Sequence, residues 1–238
     1  MKNYLLKQIY RTLLYPFLFV VSVWFVFLLQ NTSDYNFLKL GVLPRESDGL
    51  LGIITSVFIH GDLNHILSNT LPLLVLGMML FYFYKKIAKS VFIWLWLISG
   101  LWLWIGGRNN ATYPIYHIGA STLVYGLASF LFFSGVFRRH LRLMVVSVLV
   151  VFLYGGIVWG VFPLKEEMSW EGHLFGAIAG ILIAFNYRKE GPQRRVYQWV
   201  EEEEGDETLP WQQQDPEFLE VPKNPADTIN ITYIYKKK

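Results

Sequence analysis

Long apolar runs separated by short polar stretches dominate the first 190 residues of the chain. Six of these runs approach the roughly 20 residues that a helix needs to cross a bilayer. They lie near residues 12–30, 63–84, 90–106, 118–137, 143–163 and 172–187. A further apolar run at 50–59 is too short to span a membrane. The pattern therefore predicts an all-α polytopic membrane protein, built as a bundle of six transmembrane helices.

The distribution of Lys and Arg predicts the orientation of this bundle. Basic residues cluster before the first run, in the second and fourth connections, and after the sixth run. They are Lys2, Lys7, Arg11, Lys85, Lys86, Lys89, Arg138, Arg139, Arg142, Arg188, Lys189, Arg194 and Arg195. Because basic loops stay on the cytoplasmic side of a membrane, we expect the N and C termini to be cytoplasmic.

The composition changes near residue 190, where prolines become frequent and the acidic run Glu201–Glu204 begins. Such segments bury too little apolar surface to fold on their own. We therefore expect two parts, a membrane domain over residues 1–189 and a mostly disordered cytoplasmic tail over residues 190–238.

The overall composition excludes several classes of protein. The chain is 53% hydrophobic and contains no cysteine, so disulfides and thiolate metal sites are excluded. No basic patch with interleaved aromatic residues suggests that the chain binds nucleic acid. The expected surroundings of the chain are membrane lipid.

Polar residues interrupt the apolar pattern near the start of the second, fourth and sixth runs. They are His65 with Asn69, Ser121, and His173. The predicted orientation gives these three helices the same direction, so the polar residues should lie at one depth. Polar groups inside a membrane are costly and indicate function by default. A hydroxyl, an imidazole base and donors for an oxyanion are the groups that acyl transfer requires.

Small residues would let the fourth and sixth helices approach closely. His173, Gly176 and Gly180 fall on one helix face, and apart from the histidine the side chains on this face are small. The fourth run offers small residues around Ser121, namely Gly119, Ala120 and Gly126. We expect this packing to bring Ser121 within hydrogen-bond reach of His173, with Tyr125 packed on the imidazole.

Each of these features also has a structural explanation. A serine in a membrane helix commonly bonds the carbonyl four residues earlier, and His65 with Asn69 could simply tie helices together. A small transporter or channel could use His65 and His173 as a proton path. However, the inner halves of these helices are too apolar to continue that path across the membrane.

A metalloenzyme is a further alternative, with His60, His65 and His173 as ligands beside Asp62 or Glu171. However, the spacing of His60 and His65 is a poor match to helical metal ligands. We therefore expect neither a metal nor a cofactor.

The chain resembles the rhomboid family of intramembrane serine proteases over roughly residues 50–187. The resemblance rests on His65-x-x-x-Asn69, on Gly119-Ala120-Ser121 with Tyr125, and on His173-x-x-Gly176-x-x-x-Gly180, in that order on alternate helices. It implies that Ser121 is the nucleophile, His173 its base, and Asn69, His65 and the Ser121 amide the oxyanion hole. His60 matches a further histidine of the family.

The resemblance also implies a function and a location. We expect a serine-type endopeptidase that cleaves single-pass membrane proteins near the outer face of a bacterial plasma membrane. With no Asp or Glu in the second, fourth and sixth runs, we expect a Ser–His dyad. Thr122 stands where the family usually has glycine, and the family's Trp-Arg pair is absent from residues 31–62. A catalytically inactive relative that binds membrane clients is the alternative.

Overall fold

A computed structural model of the chain describes residues 2–164 and 168–193, and this part is helical. The α-helices are α1 (Lys2–Thr32), α2 (Gly52–Thr55), α3 (Leu63–Phe83), α4 (Ala88–Gly106), α5 (Ser121–Arg138), α6 (Leu141–Tyr154) and α7 (Trp170–Asn186). Short 3₁₀ helices occupy Phe37–Leu40, Ser47–Gly49, Ser56–Phe58, Gly155–Val161 and Tyr187–Lys189. Within the described residues, strand pairing is limited to one antiparallel bridge between Val42 and His117.

Four helices in the described part are long and apolar enough to cross a membrane. They cover Thr12–Thr32, Leu63–Phe83, Ala88–Gly106 and Ser121–Arg138. These helices coincide with the first four predicted apolar runs. Helices α6 and α7, with 14 and 17 residues, are shorter. The count of six membrane spans therefore stays a prediction, as does the orientation of the termini.

The fifth apolar run differs from the single helix expected over residues 143–163. Its α-helix ends at Tyr154, and a 3₁₀ helix continues from Gly155 to Val161. Two consecutive glycines, Gly155 and Gly156, stand at the change. Glycine weakens an α-helix because it loses the most backbone freedom there. The tighter 3₁₀ segment leads the chain toward the start of α7.

Helix α5 lies at the centre of the bundle and packs on α3, α4, α6 and α7. Fully buried side chains from α3, α4 and α5 form the core, including Leu76, Leu80, Leu95, Leu123, Leu127 and Phe130. The backbones of α5 and α7 approach closely, because a Cβ on Gly176 would overlap the Thr122 carbonyl and one on Gly180 would overlap the Gly126 carbonyl. The predicted small-residue packing is therefore present.

Arg138 anchors the far end of α7, at the end of α5 opposite Ser121. The side chain is buried, and its Nε donates to Ser134 Oγ at 2.8 Å. Its terminal nitrogens donate to backbone carbonyls that follow α7, those of Tyr187, Arg188, Glu190 and Pro192. A buried charge is tolerated only when it is well bonded. The carbonyls serve that purpose here.

The connection between α1 and α3 packs sideways against α4. Arg45 Nη1 donates to the carbonyls of Ile105 at 3.1 Å and Gly107 at 2.7 Å, at the end of α4. Trp104 Nε1 returns a hydrogen bond to the Glu46 carbonyl at 2.9 Å. The apolar run at 50–59 forms α2 and a 3₁₀ turn on this surface. An arginine and a tryptophan thus hold this connection, although they are far apart in sequence.

The predicted tail lies almost entirely outside the described residues, which end at 193. The division into a membrane domain over 1–189 and a tail over 190–238 stays a prediction.

Candidate active site

Helix α3 begins next to the candidate site because Asp62 caps it. The Asp62 carboxylate accepts a hydrogen bond from the His65 backbone N–H at 2.9 Å. Such a cap satisfies one of the free N–H groups of the first helical turn. One turn later, the buried Asn69 amide donates to the His65 carbonyl at 3.1 Å. The cap and this bond fix His65 and Asn69 on one face of α3.

His60 is completely buried just before this helix, and it supports the chain ahead of Ser121. Its Nε2 accepts from the Ala120 N–H at 3.4 Å, and its Nδ1 lies 3.4 Å from the Phe58 carbonyl. Gln30 of α1 donates to the His60 carbonyl at 2.7 Å. Burial, and then the nearby His65, lower the pKa of His60 to about 4. His60 is therefore neutral at ordinary pH and accepts at Nε2.

Gly119 lets the chain turn sharply into α5. Its φ of +104° is in a region that suits glycine, and its N–H donates to the Ser56 carbonyl at 2.9 Å. A Cβ on Gly119 would lie 2.6 Å from His65 Nε2, so the imidazole rests against this backbone. Ser121 follows as the first residue of α5, where backbone N–H groups lack acceptors within the helix.

The structure brings Ser121 and His173 together across 52 residues of sequence. His173 Nε2 lies 2.9 Å from Ser121 Oγ, and His173 Nδ1 lies 2.9 Å from the Gly160 carbonyl. A carbonyl only accepts, so Nδ1 carries the proton and donates it to Gly160. Nε2 is then unprotonated and accepts from the Ser121 hydroxyl. This tautomer is the one that a general base needs.

Tyr125 packs against one face of the His173 imidazole, as its spacing from Ser121 predicts. The two rings of Tyr125 and His173 are stacked, with centroids 4.1 Å apart and an interplanar angle of 6°. Gly160 makes room for both, because a Cβ there would overlap the Tyr125 hydroxyl and lie 3.1 Å from His173 Nδ1. Gly160 has no signal in the sequence, because its role depends on contacts between distant segments.

Thr122 of α5, which stands where the family usually has glycine, packs against α7. Its side chain is buried, and its Oγ1 lies 2.9 Å from the place that a Cβ on Gly172 would take. A glycine on α7 therefore offsets the extra bulk of the threonine on α5.

A cluster of four polar side chains lies beside the dyad, formed by Arg108, His117, Ser169 and Glu171. Arg108 Nε lies 3.4 Å from Glu171 Oε1, and Arg108 Nη2 donates to the Met168 carbonyl at 2.9 Å. His117 Nδ1 lies 2.6 Å from Ser169 Oγ, and its Nε2 lies 2.9 Å from the Arg108 carbonyl. Burial lowers the pKa of His117. We call these four residues the polar cluster.

The polar cluster corrects one detail of the sequence analysis. The sequence predicts a sixth run that begins near residue 172 and contains no acidic residue, whereas α7 begins at Trp170 and includes the buried Glu171. The dyad geometry is unaffected, because His173 Nδ1 faces the Gly160 carbonyl. The signal that could have found this cluster is a Glu close to an apolar helix with an Arg on another connection. Among residues 2–164 and 168–193, no three His, Asp or Glu side chains group as metal ligands would.

Comparison with known proteins identifies the family. The family model of the Rhomboid domain matches residues 47–190. Proteins named "Uncharacterized protein Mb1372" from Mycobacterium bovis and "Uncharacterized protein Rv1337" from Mycobacterium tuberculosis are each 36% identical over 186 residues, which is 75% of both chains compared. "Putative rhomboid protease YdcA" from Bacillus subtilis is 26% identical over 133 residues, 56% of this chain and 65% of that protein. The domain match covers more than half of the chain, and the chain therefore belongs to the rhomboid family.

Proposed function

We propose that this protein, a multi-pass integral membrane protein of the rhomboid family, is an active intramembrane serine endopeptidase with a Ser121–His173 dyad. The observation that carries the proposal is the pair of 2.9 Å contacts of the imidazole, with Ser121 Oγ on one side and the Gly160 carbonyl on the other. The carbonyl holds the imidazole in the tautomer that accepts the serine proton. It serves the orienting purpose that a carboxylate serves in a triad.

The reaction begins when Ser121 Oγ attacks the scissile carbonyl carbon. His173 Nε2 takes the hydroxyl proton as the new C–O bond forms, and the carbonyl oxygen becomes an oxyanion. The imidazolium then gives the proton to the leaving amine as the C–N bond breaks. A water molecule attacks the acyl-enzyme with His173 again as base, and Ser121 leaves with its proton restored.

The oxyanion is stabilised by donors from two helices. The Ser121 N–H in the first turn of α5 is one donor, and His65 and Asn69 of α3 are the others. The contact of the His65 ring with Gly119, two residues before Ser121, supports this assignment. Such donors contribute most in a pocket that excludes water, where removal of one typically costs about 10²–10³ in turnover.

The expected orientation gives the site its access and its substrates. Six membrane spans with cytoplasmic N and C termini, in a bacterial plasma membrane, would put the dyad near the outer face. Rhomboid proteases act on transmembrane substrates within the membrane, and we propose single-pass proteins as the substrates here. Because a helix hides its carbonyls in internal hydrogen bonds, the cleaved segment must unwind before Ser121 can attack.

The test is cleavage of a tagged single-pass substrate by the purified protein in detergent, with EDTA present. We expect wild type to cleave and Ser121→Ala and His173→Ala to be inactive. A fluorophosphonate probe should label wild type at Ser121. Cleavage that survives in Ser121→Ala would refute the dyad. A folded wild type that neither cleaves nor reacts with the probe would instead indicate an inactive, client-binding protein.

A further inference from the structure

The polar cluster joins the two segments that carry the dyad. His117 stands four residues before Ser121, and Glu171 stands two residues before His173. Side-chain contacts cross between the segments from Arg108 to Glu171, from Arg108 to the Met168 carbonyl, and from His117 to Ser169. The site itself uses none of these four side chains.

The ion pair between Arg108 and Glu171 is largely buried. The Glu171 side chain is 5% exposed and that of Arg108 is 35% exposed, so the ion pair reaches inward from the surface. The Arg108 guanidinium pairs with this buried carboxyl, with Nε 3.4 Å from Oε1, and removing one partner of a buried ion pair is strongly destabilising. Since Arg108 Nη2 also holds the Met168 carbonyl, one guanidinium fixes both sides of the turn into α7.

The hydrogen bond of Ser169 supports the same conclusion. Ser169 occupies the N-cap position of α7, where a serine usually accepts from the backbone of its own helix. Its side chain makes no such cap bond, and its Oγ lies 2.6 Å from His117 Nδ1. The Arg108 carbonyl can only accept, so His117 carries its proton on Nε2 and Nδ1 accepts from the Ser169 hydroxyl. The cap residue is thus directed to the neighbouring segment.

His117 is fixed on its other side as well. Its backbone pairs with Val42, with N–O distances of 2.8 and 2.9 Å in the two directions. The segment before Ser121 therefore lies between the α1–α3 connection and the start of α7. Because the backbone bonds to Val42 hold this segment on one side, the side-chain contacts with the start of α7 determine where Ser121 lies relative to His173.

We propose that Arg108, His117, Ser169 and Glu171 are positioning residues that set the Ser121–His173 distance. This role rests on the proposed protease function. A misplacement of about 1 Å in a catalytic group can cost about 10²-fold in rate, so loss of the polar cluster should act on catalysis more than on substrate binding.

The test uses Glu171→Gln and Ser169→Ala, with Arg45→Gln as the matched control. Arg45 holds the same end of α4 through the Ile105 and Gly107 carbonyls, but these contacts involve no residue of α7. The readouts are the rate of Ser121 labelling by a fluorophosphonate, kcat and KM for the tagged substrate, and thermal unfolding in detergent. We expect Glu171→Gln and Ser169→Ala to lower the labelling rate and kcat by about tenfold or more, with KM within about twofold. Arg45→Gln should label within about twofold of wild type.

Two outcomes would overturn the proposal. One is folded Glu171→Gln that labels at the wild-type rate. The other is an Arg45→Gln protein that loses labelling to the same extent. That result would mean that any loosening of the chain near the end of α4 slows the labelling of Ser121. If Glu171→Gln fails to fold, the test uses the double variant Arg108→Gln/Glu171→Gln in its place, because that variant leaves neither partner of the pair alone.

Failure of the protease proposal is recognised separately, because wild type itself would then not be labelled. In that case a double-mutant cycle of unfolding between Arg108 and Glu171 decides whether the two residues are coupled. Independent, additive effects would overturn the proposed role of the cluster, and a coupling would support it as a link between the two segments.

Discussion

The ring of Tyr125 lies parallel to the imidazole of His173, with centroids 4.1 Å apart. Stacking of this kind contributes about 0.5–1.5 kcal/mol, and it holds the imidazole in the plane that faces Ser121. We predict that Tyr125→Leu lowers kcat by up to about tenfold, since about 1.4 kcal/mol corresponds to one decade. Tyr125→Phe keeps the ring and should retain most of the activity. Equal losses in both variants would assign the effect to the hydroxyl instead of the stack.

Gly119→Ala should impair the site through two effects. The φ of +104° is unfavourable for alanine, and the new Cβ would lie 2.6 Å from His65 Nε2. We expect the imidazole to be displaced and turnover to fall by at least about tenfold, as after loss of an oxyanion donor. Gly156→Ala is the control, because a Cβ there meets no atom within 4 Å. Comparable activity in the two variants would contradict this prediction.

Gly176→Ala should destabilise the bundle itself. The added methyl would overlap the Thr122 carbonyl, so α5 and α7 must separate. Overpacking of this kind typically costs about 1–3 kcal/mol. Thermal unfolding in detergent measures the loss, with Gly155→Ala as the control because its nearest atom would be Val151 Cγ1 at 3.7 Å. Unchanged stability of Gly176→Ala would show that the α5–α7 interface can relax.

Asn69→Ala tests the oxyanion hole. We expect turnover to fall by about 10²–10³, with a smaller effect on KM, because the amide acts on charge that develops in the transition state. Ser68→Ala is the matched control, since Ser68 Oγ donates to the same His65 carbonyl at 2.8 Å but is exposed. Equal effects would mean that the bond to His65, and not an oxyanion contact, explains the loss.

The stability of the protein should fall as the pH falls from 6.5 to about 4. The pKa of buried His60 is lowered to about 4, from 6.5 in an unfolded chain. Above pH 6.5 both states are neutral at this residue and its contribution is complete. Between these values only the unfolded state binds the proton, which removes about 3 kcal/mol of stability. His117, whose pKa burial also lowers, acts in the same direction.

Denaturation of wild type and His60→Gln between pH 7.5 and 4 measures this effect. We expect a shallower pH dependence in the variant, because glutamine does not titrate. An identical slope in both proteins would exclude His60 as its source.

The sequence predicted those parts of the site that depend on local spacing. His65 with Asn69, and Ser121 with Tyr125, each lie one helical turn apart, so their common faces follow from the period of the helix. The glycines Gly176 and Gly180 predicted the close α5–α7 packing for the same reason. The first four apolar runs are long enough to predict the positions of α1, α3, α4 and α5.

The remaining features depend on contacts between segments that are distant in sequence. Gly160 approaches Tyr125 and His173 only after the fifth run has changed to a 3₁₀ helix. The sixth apolar run begins after Glu171, because apolar runs do not mark the first turn of a helix, where acidic residues are favourable. The hydrogen bonds of Arg45 and Trp104 link the α1–α3 connection to the end of α4, and they join residues about 60 apart that share no local pattern.

The glycine contacts between α5 and α7 also bear on when the catalytic geometry is established. At Gly176 and Gly180 the backbones of the two helices touch, and no side chain at these points has to change rotamer, so Ser121 and His173 are aligned once the helices have packed. In the proposed reaction, the entropy of bringing hydroxyl and imidazole together is then lost during folding and does not recur in each turnover. The barrier of that reaction would include no reorganisation of these two groups, and the substrate peptide would be the part that each cycle has to order.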